Sequence, residues 1–273
     1  MKMRIIRVVT RIALPFFVAG LVSAQVSAPK IGMAKYSDGT VWAILGLPSN
    51  LILGNESLSY ADAISFSDFG GLVSSHGQIQ LLGPDLHVVG EYDSSEAAPV
   101  LNVDGGLTSA IAWLPSESKL LHWDGKSFIA TETSSSLFPG RVSSVRLENN
   151  SLAKLLVVQS DQSVAEVTIS LDKGNLLGIA VVPGVSGPAI QEPGFVLFQD
   201  EQGLEIESAS GELHTLALPA HDLTIERMSS DWLHLASPSS KRNWALHMTG
   251  SQFDLSVLPA PAARTGAFGG ESK

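Results

Sequence analysis

Residues 109–131, SAIAWLPSESKLLHWDGKSFIAT, hold three short apolar runs, at 110–114, 119–123 and 128–130. Pro-Ser-Glu-Ser separates the first two runs, and Asp-Gly-Lys-Ser separates the second from the third. Apolar runs of this length between turn residues predict strands joined by tight hairpins, and Asp-Gly suits the left-handed backbone of such a turn. The same pattern recurs at 32–54, 71–90, 152–182, 194–218 and 232–258, which makes six copies with second turns roughly 35–50 residues apart. Five further short runs rich in Val, Ile or Leu lie between the copies, at 63–67, 99–103, 142–147, 188–191 and 223–228. No window of about 12 residues keeps a 3.6-residue apolar period without a Gly, Pro or Ser cluster, so long helices are not expected.

A repeat of about 40 residues with several strands is the sequence signature of a β-propeller blade. On that period and strand pattern the chain resembles the β-propeller repeat superfamily over residues 30–259. The resemblance implies an all-β fold, a six-bladed β-propeller of antiparallel four-stranded blades, with each intervening run as the innermost strand. Another blade count, a β-sandwich and a β-helix remain alternatives; a sandwich does not repeat one pattern six times, and β-helix coils are shorter. The first copy is the exception. Only 25–30 precedes it, so either 25–31 completes that blade or the blade has three strands. His122-Trp123-Asp124-Gly125 resembles the Trp-Asp strand end of one propeller family, without that family's Gly-His pair. Ser37-Asp38-Gly39-Thr40-Val41-Trp42 is similar to the aspartate box of sialidase-like propellers but lacks its spacers. Gly70-Gly71 and Gly105-Gly106 resemble kelch repeats in two blades only. The resemblance therefore implies a fold and no particular substrate.

The N-terminus changes the picture of where the molecule works. Lys2, Arg4, Arg7 and Arg11 precede an apolar run at 12–21, and Val22-Ser23-Ala24 places small residues as a signal-peptide cleavage site does. A second site follows at Val26-Ser27-Ala28, and an uncleaved anchor is the competing reading, although Pro15 and Gly20 interrupt the run. The expected division is a signal peptide at 1–24, a propeller domain at 25–259 and a disordered tail at 260–273. Cleavage after residue 24 leaves 13 basic against 27 acidic residues, a net charge of −14. Such a charge disfavours nucleic acid and anionic lipid, and no later apolar segment reaches the roughly 20 residues that span a bilayer. The chain has no cysteine, so there are neither disulfides nor thiol chemistry. The expected location is secreted or periplasmic.

Candidate chemistry is sparse. Asp68, Asp104, Glu148 and Glu192 follow the inner strands of four consecutive blades, and Asp231 comes slightly later in the sixth. If the blades are equivalent, these carboxylates form an acidic ring to which calcium, a hard cation, is suited. The competing reading is that acidic residues and Gly simply make good turns there. On the opposite face, Asp38, His76, Glu117, Asp161, Asp200, Glu201, Lys241 and Arg242 occupy hairpins, with Glu56, Asp62, Asp93, Glu96 and Asp222 in the interblade connections. A hydrolase or lyase acting on a carbohydrate or lactone needs two of these carboxylates, or several with a metal, to converge. Solvated loop charge is the competing explanation. His122, His234 and His247 sit beside tryptophans in strands and His214 in a hairpin strand; none shows metal-ligand spacing, and no Gly-x-Ser-x-Gly elbow is present. The five tryptophans, at equivalent strand positions, suit packing between blades. The expected function is thus a non-catalytic binding or scaffold module for a protein, glycan or other ligand, with the carboxylate- or metal-dependent enzyme as the alternative and a purely structural surface protein as a third reading.

Overall fold

Among the described residues the runs and turns form 23 strands in six antiparallel sheets, each sheet following chain order. The computed structural model describes residues 28–134, 138, 140–201, 203–220 and 222–261. The expected signal segment, residues 262–273 of the expected tail and the loop residue His221 lie outside the described residues. The first blade is β1 (Lys30–Lys35), β2 (Val41–Leu47) and β3 (Asn50–Leu58), and the second is β4 (Ala63–Ser67), β5 (Gly70–Ser75), β6 (Gln78–Leu82) and β7 (Val88–Asp93). The third comprises β8 (Val100–Asn102), β9 (Ile111–Leu114), β10 (Lys119–Trp123) and β11 (Phe128–Glu132). The fourth comprises β12 (Gly140–Asn149), β13 (Leu152–Gln159), β14 (Ser163–Ser170) and β15 (Leu176–Ser186). The fifth holds β16 (Ala189–Glu192), β17 (Phe195–Gln199), β18 (Leu204–Ser208) and β19 (Leu213–Leu216). The sixth holds β20 (Thr224–Ser229), β21 (Trp232–Ser237), β22 (Arg242–Thr249) and β23 (Gln252–Val257).

Side chains alternate across a strand, and the ring uses both faces of each middle strand. In β9, Ile111 and Trp113 join a cluster with Val145, Leu155 and Val157 of the fourth blade. Ala112 and Leu114 face the other way, into a cluster with Leu72, Ile79 and Leu81 of the second. The described residues form six such apolar clusters, one at each seam between neighbouring blades. Burying a Leu, Ile or Val in one of them contributes roughly 1.5–3 kcal/mol. Trp113, Trp123, Trp232 and Trp244 are buried in these seams, which is the packing role expected of them. Gly90 is required at one seam, because a Cβ there would lie 2.3 Å from the Trp123 ring.

The first blade has three strands among the described residues, and residues 25–27 of the alternative reading lie outside them. Ala28 and Pro29 form no strand, and Lys30 already belongs to β1. Among the described residues no sixth inner strand intervenes, and β20 packs directly on β4, with β1 against both. Gly32 permits this approach, since a Cβ at that position would stand 2.5 Å from the Met228 carbonyl oxygen. Among the described residues the ring closes without a shared sheet. Ala34, Tyr36 and Ile44 pack against Met228, Trp232, Ala245 and Leu258, and the buried Tyr36 hydroxyl donates to the Pro259 carbonyl at 2.8 Å.

Candidate functional site

Five inner strands, β4, β8, β12, β16 and β20, surround the axis. Side-chain hydroxyls tie them together. The Val103 N–H donates to Ser65 Oγ at 3.0 Å, the Gln191 N–H donates to Ser144 Oγ at 3.1 Å, and Ser143 Oγ donates to the Ala189 carbonyl at 2.7 Å. Between the strands lies a cavity of about 520 Å³. Pro99, Arg141, Pro188 and Asp222, at the starts of the inner strands, form its rim. Ile64, Val100, Val142, Val145, Ile190 and Ile225 supply apolar wall, and Asn102, Glu192 and Arg227 are the last lining residues along their strands.

That inner end is held by ion pairs. Arg227 and Glu192 pair through Arg227 Nη2 and Glu192 Oε2, with their side chains 4 % and 2 % exposed. Arg227 Nη1 also donates to the Ser230 carbonyl at 3.1 Å. Burial pulls the Arg227 guanidinium down to about 10, while the nearby charges of Asp104 and Asp231 act to raise it and Arg146 to lower it, so it stays charged at neutral pH. Arg146 Nε donates to Asp104 Oδ2 at 2.7 Å, and Lys154 bridges Glu148 and Glu166 at 3.2 and 3.1 Å. Asp68 is exposed, its backbone N–H donating to Ser230 Oγ.

Of the four carboxylates expected to form a ring, Glu192 alone lines the cavity, and at its inner end. Asp104, Glu148 and Glu192 direct oxygens to Arg146, Lys154 and Arg227. Calcium takes six to eight oxygen ligands. Among the described residues no three His, Asp or Glu side chains converge in a way that holds a metal ion.

The rim carboxylates fasten loops. Glu96 Oε2 accepts from the Ser116 N–H at 2.6 Å and its hydroxyl at 2.7 Å, and Oε1 accepts from the Ala98 N–H at 3.0 Å. Asp222 accepts from Ser237 Oγ at 2.6 Å and the Ser239 N–H at 2.7 Å. Asp161 is bound by Ser163, Glu117 by Ser94 and Lys119, and Asp62 by the Tyr60 hydroxyl. Hydrogen bonds to the ionised form hold Asp161 and Asp222 below the usual carboxylate range. At Glu96, burial works against the charge, but the bonds from Ser116 and Ala98 outweigh it and the pKa is lowered. Such carboxylates are poor general acids at neutral pH, since that role needs a raised pKa.

Glu226 binds Lys35 at 3.0 Å and stands 3.9 Å from His234 Nδ1, while His234 Nε2 meets Asn243 Oδ1 at 2.9 Å. His247 stacks on Trp232, and His214 lies against Phe253. Lys35, Tyr36, Glu226, Lys241 and Asn243 line a second depression of about 410 Å³ at the seam of the first and sixth blades. It shares Thr224 and Glu226 with the axial cavity. Sequence reasoning missed Arg146, Arg227 and Asn102. The available signal was a polar residue in an otherwise apolar inner run, as in Val145-Arg146-Leu147 and Leu101-Asn102-Val103.

These elements define a six-bladed β-propeller with an axial cavity. No protein-family model matches the chain, and no curated protein does. Among solved structures the chain is similar to the Myceliophteria_thermophila Cps50 (Swd1) β-propeller domain, at 7% identity over 86% of this chain and 88% of that one, with a TM-score of 0.46. It is similar to the Neurospora crassa Pan2 WD40 domain at 9% identity over 83% and 91%, TM-score 0.42. BamB from Moraxella catarrhalis matches at 11% identity over 85% and 90%, TM-score 0.38.

Proposed function

We propose that the protein is an exported, non-catalytic propeller that binds a protein or glycan partner on the loop-bearing rim of the ring. The observation that carries this reading is the pair of adjoining concavities, the axial cavity and the neighbouring depression, whose linings share Thr224 and Glu226. Hairpins and interblade connections surround it, and such loops on a rigid scaffold are the usual place for recognition. The rim carboxylates Glu96 and Asp222 are committed to loop hydrogen bonds, which supports binding over acid–base chemistry. The basic start, apolar run and Val22-Ser23-Ala24 support export.

Photo-crosslinkers at Arg141, Pro115 and Lys241 on the rim, and at Asp68 and Asp124 on the opposite face, test this in the native host. The expected result is one partner captured at the rim positions and absent at the other two. Capture from Asp68 or Asp124 alone overturns the choice of face. Hydrolysis of a glycan or lactone panel that is lost in Glu226→Gln replaces binding with catalysis. Cell fractionation with N-terminal sequencing tests export, with Gln25 expected as the mature terminus.

A further inference from the structure

Two donors at the inner end of the axial cavity have no partner. Asn102 Nδ2 and Arg227 Nε are both buried, neither meets an acceptor among the described residues, and both residues line the cavity. Asn102 is 7% exposed and Arg227 5%. A buried donor without an acceptor is costly, so a site that retains two of them is arranged for an acceptor brought from outside. The surroundings restrict what that acceptor is. Arg227 is already balanced by Glu192 and Arg146 by Asp104, so the inner end offers no net positive charge to hold an anion. The walls above are hydrocarbon, from Ile64, Val100, Val142, Val145, Ile190 and Ile225. The cavity's volume of about 520 Å³ falls in the range typical of small-molecule sites.

We propose that the axial cavity binds an uncharged acyl compound, an amide or ester in class, with its carbonyl oxygen accepting from Asn102 Nδ2 and Arg227 Nε and its hydrocarbon part lying along the inner strands. The hydroxyl ties between inner strands, such as Ser65 to Val103 and Ser144 to Gln191, hold the walls at a fixed separation, so little ordering accompanies binding. This site goes beyond docking at the rim, and each stands or falls without the other.

Calorimetric titration of the purified protein with octanamide, octanoate and octylamine tests the assignment. The three share one chain and differ in the head: a neutral carbonyl, an anion, and a cation without an acceptor. Octanamide is expected to saturate a single site, with the other two at least tenfold weaker. Asn102→Leu keeps the Arg227–Glu192 pair, removes one unpartnered donor, and is expected to weaken octanamide about tenfold while raising the melting temperature of the free protein. Val100→Trp, placed on the wall, is expected to abolish binding with the urea midpoint retained. The proposal is overturned if none of the probes saturates, if octanoate or octylamine binds as well as octanamide, or if Asn102→Leu leaves affinity unchanged. The first outcome leaves the cavity to water only.

Discussion

Glu192→Gln is the most direct test of how the inner end of the cavity is built. The substitution keeps the shape of the side chain and removes its charge, leaving the Arg227 guanidinium in place. With the Arg227 side chain 4 % exposed, water cannot substitute for the lost carboxylate. Breaking a buried pair from one side typically costs about 3–5 kcal/mol, because it strands a desolvated charge. Arg227 keeps its bond to the Ser230 carbonyl and the influence of Asp104 and Asp231, so the lower end of that range, about 3 kcal/mol, is expected. Against a total stability of about 5–15 kcal/mol this is a large fraction, and it is readable as a lower urea midpoint at unchanged slope. The double variant Glu192→Leu/Arg227→Met removes both charges and fills the space with hydrocarbon. It is expected to lie within about 1 kcal/mol of the unsubstituted protein, giving a coupling energy of about 2 kcal/mol or more in the cycle with the two single changes. A cost below about 1 kcal/mol for Glu192→Gln, with coupling near zero, would refute the reasoning. It would mean that the guanidinium is hydrated and the inner end of the cavity open to solvent.

Four further outcomes are expected. Glu96 has its folded pKa lowered, so its contribution is complete above the ordinary carboxylate value and is lost as pH falls through the lower folded value. Glu96→Gln should therefore cost about 1.5–3 kcal/mol at pH 7 and flatten the acid limb of a stability–pH profile measured by urea unfolding. Tyr36→Phe, which removes the hydroxyl donating to Pro259 across the ring closure, should cost about 0.5–1.5 kcal/mol, measured the same way. Ser118 holds a left-handed φ of 52° in the hairpin between β9 and β10, so Ser118→Gly should stabilise by about 0.5 kcal/mol, read as a small rise in melting temperature. Because Asp104, Glu148 and Glu192 are engaged by cationic side chains, a chelator should leave the melting temperature unchanged; a fall, with calcium found by elemental analysis, would establish the acidic ring as a metal site.

The architecture was legible because a blade is a local object. The runs at 110–114, 119–123 and 128–130 became β9, β10 and β11 through hairpins whose turn residues lie between them in the chain. The inner run at 63–67 became β4 with the same bounds. The site was not legible, because its defining contacts cross from one blade to the next. Asp104 meets Arg146 at a separation of 42 residues, and Glu192 meets Arg227 at 35. Each is about one blade repeat, joining the carboxylate after one inner strand to an arginine on the following inner strand. Blade equivalence correctly suggested that the carboxylates recur at strand ends. What it did not reveal is that two of them, Asp104 and Glu192, meet an arginine one repeat on, since the register between inner strands is set by the ring rather than by the turns.

The three-stranded first blade bears on the site in a way that follows from alternation alone. With no sixth inner strand among the described residues, β20 closes against β4, and Gly32 of β1 comes close to the Met228 carbonyl. Met228 joins the seam with Ala34, Tyr36 and Ile44. Its neighbour Arg227 then projects from the other face of β20, toward the axis, where it has no solvent and must find an opposite charge. Glu192, at the end of the preceding inner strand, is that charge. Pairing consumes Nη2 and the Ser230 carbonyl takes Nη1, which leaves Nε as the unpartnered donor at the inner end of the cavity. The same strand therefore closes the ring on one face and supplies the cavity's polar end on the other. A substitution that disturbs the closure, such as Gly32→Val, is expected to change both stability and binding of octanamide, whereas Tyr36→Phe, remote from β20's axial face, should lower stability alone.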